Sequence, residues 1–150
     1  MPQSFASLHV HIIFSTKNRE PFLSPDIETR LYEYIGGILR ADGASLIAAG
    51  GMPDHIHLLI SLTRDHSLAG VARLIKANSS KWIHETFPAK QAFAWQVGYG
   101  AFSVSYSNID GVKRYIAGQS EHHRKKTFQE EFVEFLDRHA IKYDLRYLWE

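Results

Sequence analysis

The segment Pro53-Asp54-His55-Ile56-His57-Leu58-Leu59-Ile60 sets two imidazoles two residues apart in a run that otherwise reads as a strand. On an extended chain successive side chains leave opposite faces, so His55 and His57 share one face while Ile56, Leu58 and Ile60 share the other. Two imidazoles side by side can hold one cation. The same pattern also describes two polar residues on a half-exposed sheet face, and a third ligand is what would separate the readings. The stretch KRYIAGQSEHH supplies a candidate, because Tyr115 and Gln119 stand four apart and share one helical face. On spacing alone, a packed tyrosine and a solvated glutamine explain that pair better.

The elements that must position these residues follow from periodicity and punctuation. Residues 5–15 alternate, with Leu8, Val10 and Ile12 on one side and His9, His11 and Ile13 on the other, which predicts a strand. Ser24-Pro25-Asp26 opens a helix with Ile27, Leu31, Tyr34, Ile35 and Leu39 at helical spacing, ending near Gly43. Residues 44–50 and 55–62 read as two strands joined by the turn-rich Gly51-Met52-Pro53-Asp54. A second helix runs from Ser67 to about Phe87, and residues 99–106 alternate as a fourth strand. Ser107-x-x-Asp110 and Thr127-x-x-Glu130 are spaced as capping boxes, predicting helices over 108–121 and 128–139.

This order is that of an α+β ferredoxin-like βαββαβ sandwich with an antiparallel sheet and C-terminal helices, in one domain spanning 1–150. In that topology the first and third strands are central neighbours. His9 and His11 are then expected beside His55 and His57 on a face left open by the helices, where removing the histidine pair would cost little packing.

Composition narrows the classes. The chain has 150 residues, 45% of them hydrophobic, enough for one packed core, and no cysteine, which excludes disulfides and thiolate-bound zinc. No basic apolar leader or membrane-length apolar run stands out, so the expectation is a soluble, cytoplasmic protein with no membrane partner. A formal charge of +1 gives little long-range pull on a polyanion, so nucleic-acid contact must come from local patches. One such patch is residues 107–126, where Lys113, Arg114, Arg124, Lys125 and Lys126 outnumber Asp110 and Glu121. Residues 127–140 are acidic instead.

Taken together, HIIFSTKNR (11–19), MPDHIHLLI (52–60), KANSSKW (76–82), WQVGYGAFSVS (95–105), YIAGQSEHH (115–123) and IKYDLRYLW (141–149) resemble the single-tyrosine HUH transposases of bacterial insertion sequences, the insertion-sequence 200-like group. His55-Ile56-His57 matches the histidine-hydrophobe-histidine motif, and YIAGQ puts the family's nucleophile on Tyr115 and its third metal ligand on Gln119. The resemblance implies a metal-dependent enzyme, with Mg2+ or Mn2+, that cuts and rejoins single-stranded DNA with hairpin ends through a 5′-phosphotyrosine bond and a free 3′-hydroxyl. It also implies a homodimer in which Tyr115 of one subunit serves the histidines of the other. Two imidazoles and an amide would by themselves suggest a softer transition metal.

Lys76, Ser80, Lys81, Arg114, Arg124 and Lys125 are candidate DNA contacts, with a solvated helix face as the other reading of the first three. His9 and His11 are candidates for the rim of the metal site or for DNA contact, and equally for filler on a polar face. His122 and His123 fit a basic run better than a ligand set. Tyr99, Tyr106, Tyr143 and Tyr147 lack a Gln or His four residues on and read as packing or stacking residues. Two other functions fit the fold: a non-catalytic single-stranded nucleic-acid-binding module, and a metal phosphoesterase that uses water.

Overall fold

The computed structural model describes residues 3–149. Four antiparallel strands, β1 (Leu8–Ser15), β2 (Ser45–Met52), β3 (His55–Leu62) and β4 (Gly100–Val104), form one sheet in the order β2-β3-β1-β4. With α1 (Pro25–Ala41) between β1 and β2 and α2 (Leu68–Thr86) between β3 and β4, this is the ferredoxin-like arrangement that the sequence predicts. β4 is shorter at both ends than the alternation suggests.

One face of the sheet carries Ile12, Phe14, Ile56, Leu58 and Ile60, which pack with Ile27, Leu31, Ile35 and Leu39 of α1 and Val71, Ile75 and Ile83 of α2. The alternation of β1 and β3 dictates this, since every second side chain must find apolar cover. Ser67 caps α2 by accepting from the Gly70 amide at 3.0 Å.

The other face is closed as well, and here the expectation of an open face fails. Three C-terminal helices cover it: α3 (Ile109–Ala117), α4 (Gln119–His122) and α5 (Phe128–Arg138). Phe128, Phe132 and Leu136 of α5 pack with Ile13 and Phe102 in a second, smaller core. His55 and His57 are 0% exposed and His11 2%. The histidines are interior residues, because the C-terminal segment carries its own apolar stripe and must bury it against something.

Two local features bring these helices onto the sheet. Gly50 of β2 lets α3 approach: a Cβ there would stand 2.6 Å from the Ile116 carbonyl oxygen. The capping box of Thr127 and Glu130 forms as predicted and starts α5. The Ser107-x-x-Asp110 box does not form. A 3-10 turn over Tyr106–Asn108 intervenes, Asn108 takes the N-cap of α3, and the Ser107 hydroxyl meets that of Ser105 at 3.2 Å. The helix expected over 108–121 also breaks at Gly118, leaving Tyr115 on α3 and Gln119 at the start of α4. Among the described residues no helix is long and apolar enough to cross a membrane.

Candidate active site

β1 and β3 pair so that Ile13 lies opposite His57 and Ser15 opposite His55, which puts His11 diagonal to His57 on the same face. His11 Nε2 and His57 Nδ1 are 2.8 Å apart. Above them α4 delivers Gln119, its C-cap position His123, and α5 Glu131. The Nε2 atoms of three histidines converge on one carboxylate oxygen, Glu131 Oε1: His57 at 2.9 Å, His123 at 3.1 Å and His55 at 3.4 Å. Gln119 Oε1 lies 3.0 Å from His55 Nε2 and 3.1 Å from His123 Nε2. The second oxygen of Glu131 accepts from the Tyr115 hydroxyl and, at 3.3 Å, from the Gln119 amide.

The sequence groups His55, His57, Gln119 and Tyr115, and the structure brings them together within a single chain. Two further members of the site, His123 and Glu131, escape the sequence reading. His123 reads as part of the basic run, although Tyr115, Gln119 and His123 recur every four residues and line up on one side of the helical path. Glu131 reads as part of an acidic surface, yet it occupies an apolar position: Phe128, Glu131, Phe132 and Phe135 follow the i, i+3, i+4, i+7 spacing of a buried stripe. A carboxylate inside such a stripe is the signal that could have found it.

Burial and charge set the protonation states. Burial opposes a charge on the His55 ring, but hydrogen bonds to the Asp54 and Glu131 carboxylates outweigh it and raise its pKa to about 9. Burial dominates for His57 and His11, held down at about 4 and about 3. Burial alone would raise Glu131, yet hydrogen bonds from His123, His55 and His57 hold it well below the usual carboxylate range. Burial and the neighbouring Glu131 carboxylate push the Tyr115 phenol up, so it rests as a hydrogen-bond donor.

Ligand atoms of His55, His57, His123 and Glu131 all lie within 4.8 Å of one another, a cluster that could hold a metal ion. The fit is supported by what lies behind each ring. His55 Nδ1 meets Asp54 Oδ1 at 2.8 Å, His123 Nδ1 the Lys126 carbonyl at 2.8 Å, and His57 Nδ1 meets His11. The Asp54 and Lys126 oxygens can only accept, so a neutral His55 or His123 carries its proton on Nδ1 and leaves Nε2 free to ligate.

The other predicted residues fall in different places. Arg124 and Lys125 line a cleft of about 630 Å³ with Arg19, Asp54 and His123, so the His123 edge of the cluster borders a surface rich in Arg and Lys, whereas Tyr115 lines a separate cavity of about 330 Å³ with His11 and Arg138. Arg114 is exposed on α3. His9 lies on the histidine face, 6.3 Å from the Tyr106 ring, with its buried Nδ1 unpartnered. Lys76, Ser80 and Lys81 belong to α2, on the far side of the sheet. Lys76 is bound within the chain: its ammonium donates to the carbonyls of Gln96, at 2.9 Å, and Gly98, and burial lowers its pKa to about 8.

Similarities to known proteins agree with this architecture. The fold is that of transposases: a solved putative transposase from Deinococcus radiodurans superposes with a TM-score of 0.65 at 27% identity, over 79% of this chain and 98% of that one. A REP-associated tyrosine transposase bound to a REP hairpin shares the fold, with a TM-score of 0.61 at 17% identity over 82% of this chain and 73% of that one. In sequence, the ISDra2 transposase TnpA of Deinococcus radiodurans is 24% identical over 119 residues, covering 76% of this chain and 85% of that protein. The family model described as "Transposase IS200 like" matches residues 4–119, and the chain belongs to that family.

Proposed function

We propose that the chain is a metal-dependent transposase that cleaves and rejoins single-stranded DNA through a covalent 5′-phosphotyrosine on Tyr115. The observation that carries this reading is the hydrogen bond from the Tyr115 hydroxyl to Glu131, whose other oxygen faces His55, His57 and His123. A nucleophile and an ion-binding cluster thus share one carboxylate.

In this reading His55, His57 and Gln119 hold a divalent ion, Mg2+ or Mn2+ by family resemblance. Such an ion supplies Lewis-acid polarisation of a non-bridging phosphate oxygen and neutralises charge developing on it. The chain's own residues do the rest. Glu131 orients the phenol. Tyr115 Oη attacks the phosphorus as its proton leaves along the hydrogen bond to Glu131, the bond from phosphorus to the 3′-oxygen breaks, and the 3′-oxygen takes up one proton to leave as a hydroxyl, so one proton is released and one consumed. One phosphodiester is exchanged for another, so rejoining needs no nucleotide cofactor.

The substrate is single-stranded DNA, because a reacting phosphate must reach a site set into the molecule and an unpaired strand bends at lower cost. Arg19, Arg124 and Lys125 along the cleft are suited to its backbone. The neighbour bound to a REP hairpin supports hairpin ends on that DNA. A cytoplasmic homodimer exchanging Tyr115 between subunits completes the proposal. Within one chain Tyr115 already lies beside its own histidines, so exchange requires α3 to leave its seat on Gly50.

The test is incubation with single-stranded DNA from the flanks of the encoding gene, followed by a denaturing gel. A DNA adduct formed by the wild type and absent from Tyr115→Phe is expected. Strand cutting that survives in Tyr115→Phe would favour water as nucleophile, and DNA binding without cutting would favour a binding module.

A further inference from the structure

We propose that the ion site is completed by the C-terminal segment, with His123 and Glu131 as ligands beside His55 and His57, and that it therefore selects a first-row transition ion such as Mn2+, Co2+ or Zn2+ over Mg2+. This rests on the reading that His55 and His57 hold an ion, and extends it in ligand set and in metal class.

The family match ends at residue 119, whereas His123 and Glu131 lie beyond it. Their side chains are nonetheless turned fully into the cluster, with that of Glu131 1% exposed and that of His123 7%. Ligands roughly 2.0–2.2 Å from a zinc-class ion stand roughly 3 to 3.5 Å from one another. The spacings of 2.9, 3.1 and 3.4 Å from Glu131 Oε1 to the three imidazole nitrogens already fall near that range. Bringing an ion in thus requires small outward movements rather than a new arrangement. Each ring is also braced from behind, His55 by Asp54, His57 by His11 and His123 by the Lys126 carbonyl, the support that fixes the orientation of ligating histidines.

The donor set decides the metal class. Magnesium favours oxygen ligands, retains water and dehydrates reluctantly, so three imidazoles in a buried cluster suit it poorly. Three imidazoles and one carboxylate suit the borderline transition ions. Because the ligands come from β3 at one end and from α4 to α5 at the other, the ion would also tie the C-terminal helices to the sheet.

The experiment is calorimetric titration of the metal-free chain with Co2+, Mn2+ and Mg2+, paired with the visible spectrum of the Co2+ form and with melting curves. The wild type, His57→Ala, His123→Ala, His123→Phe and Glu131→Gln are compared. His123→Phe keeps the ring's bulk and Glu131→Gln the side chain's shape, so weakened binding is separated from misfolding by circular dichroism. The expected result is one Co2+ or Mn2+ per chain, bound at least about tenfold more tightly than Mg2+, a ligand-field spectrum, and a raised melting temperature. Loss of at least about tenfold in Co2+ affinity is expected in His123→Phe and Glu131→Gln. Wild-type Co2+ affinity in both would overturn the proposal, as would Mg2+ binding as tight as Co2+. If His57→Ala alone lost binding, the ion would belong to the strand and Gln119, and the proposed function would stand. If the wild type bound no ion, both readings would fall.

Discussion

Glu131 is the residue on which the interior of this face depends. One buried carboxylate answers three imidazoles, an amide and a phenol, so its partners cannot be removed singly without leaving polar atoms unpaired in the core. His57→Ala illustrates the consequence. It deletes a fully buried ring bonded to His11 and to Glu131, and a loss of roughly 2 to 4 kcal/mol in unfolding free energy is expected from the cavity and the unpaired groups. Denaturant melts of the metal-free proteins check it; a wild-type midpoint would show that the ring is not structural. Titration gives a second expectation. His55, raised to about 9, stabilises the fold below its ordinary pKa of 6.5, and that contribution fades as pH climbs from 6.5 through 9. His57 and His11, lowered to about 4 and about 3, resist protonation in the fold, so stability falls as pH drops from 6.5 toward those values. The chelated protein should therefore melt highest near pH 6.5. A series of melts from pH 4 to 10 in chelator that rose steadily to pH 9 would contradict these assignments.

At the scale of elements, α3 carries Tyr115 and is positioned by its contact with β2. Gly50→Ala would drive a methyl group into the Ile116 carbonyl, 2.6 Å away, so overpacking should cost about 1–3 kcal/mol and displace Tyr115 from Glu131. The expected outcome is a lower melting temperature together with reduced adduct formation; unchanged values in both would show that α3 is not seated there. Much of this layer was legible in the sequence. The strands β1 to β3 and helices α1 and α2 followed from period and punctuation, and the capping box at Thr127 marked the start of α5. Other parts were not legible. Alternation in β1 and β3 separates two faces but does not say what covers the second, and the C-terminal helices could be counted without knowing that they close over the histidines. His123 and Glu131 were hidden for a related reason: each lies in a stretch whose average charge advertises a surface, and only the tertiary fold turns that residue inward.

At the scale of the whole molecule, a sandwich with helices on both faces encloses the cluster between two openings, the cleft beside Arg124 and Lys125 on the His123 side and a cavity of about 330 Å³ on the Tyr115 side. A homodimer that exchanges Tyr115 can be tested by mixing a Tyr115→Phe chain with a His55→Ala/His57→Ala chain under subunit exchange. Each homodimer lacks a necessary group, whereas a mixed dimer assembled in trans holds one complete site. Adduct recovered on the histidine-variant chain is the expected outcome; none, with exchange demonstrated, would leave the arrangement within one chain as the working form. Whether this cluster serves a tyrosine nucleophile is decided by locating the covalent bond. Single-stranded flank DNA is incubated with the protein and Mn2+, the product is digested with nuclease and protease, and the peptide that retains a nucleotide is sequenced by mass spectrometry. One modified peptide is expected, containing Tyr115 and carrying the 5′-phosphate of the downstream strand. A nucleotide on any other tyrosine, or cleaved DNA with no modified peptide, would contradict it.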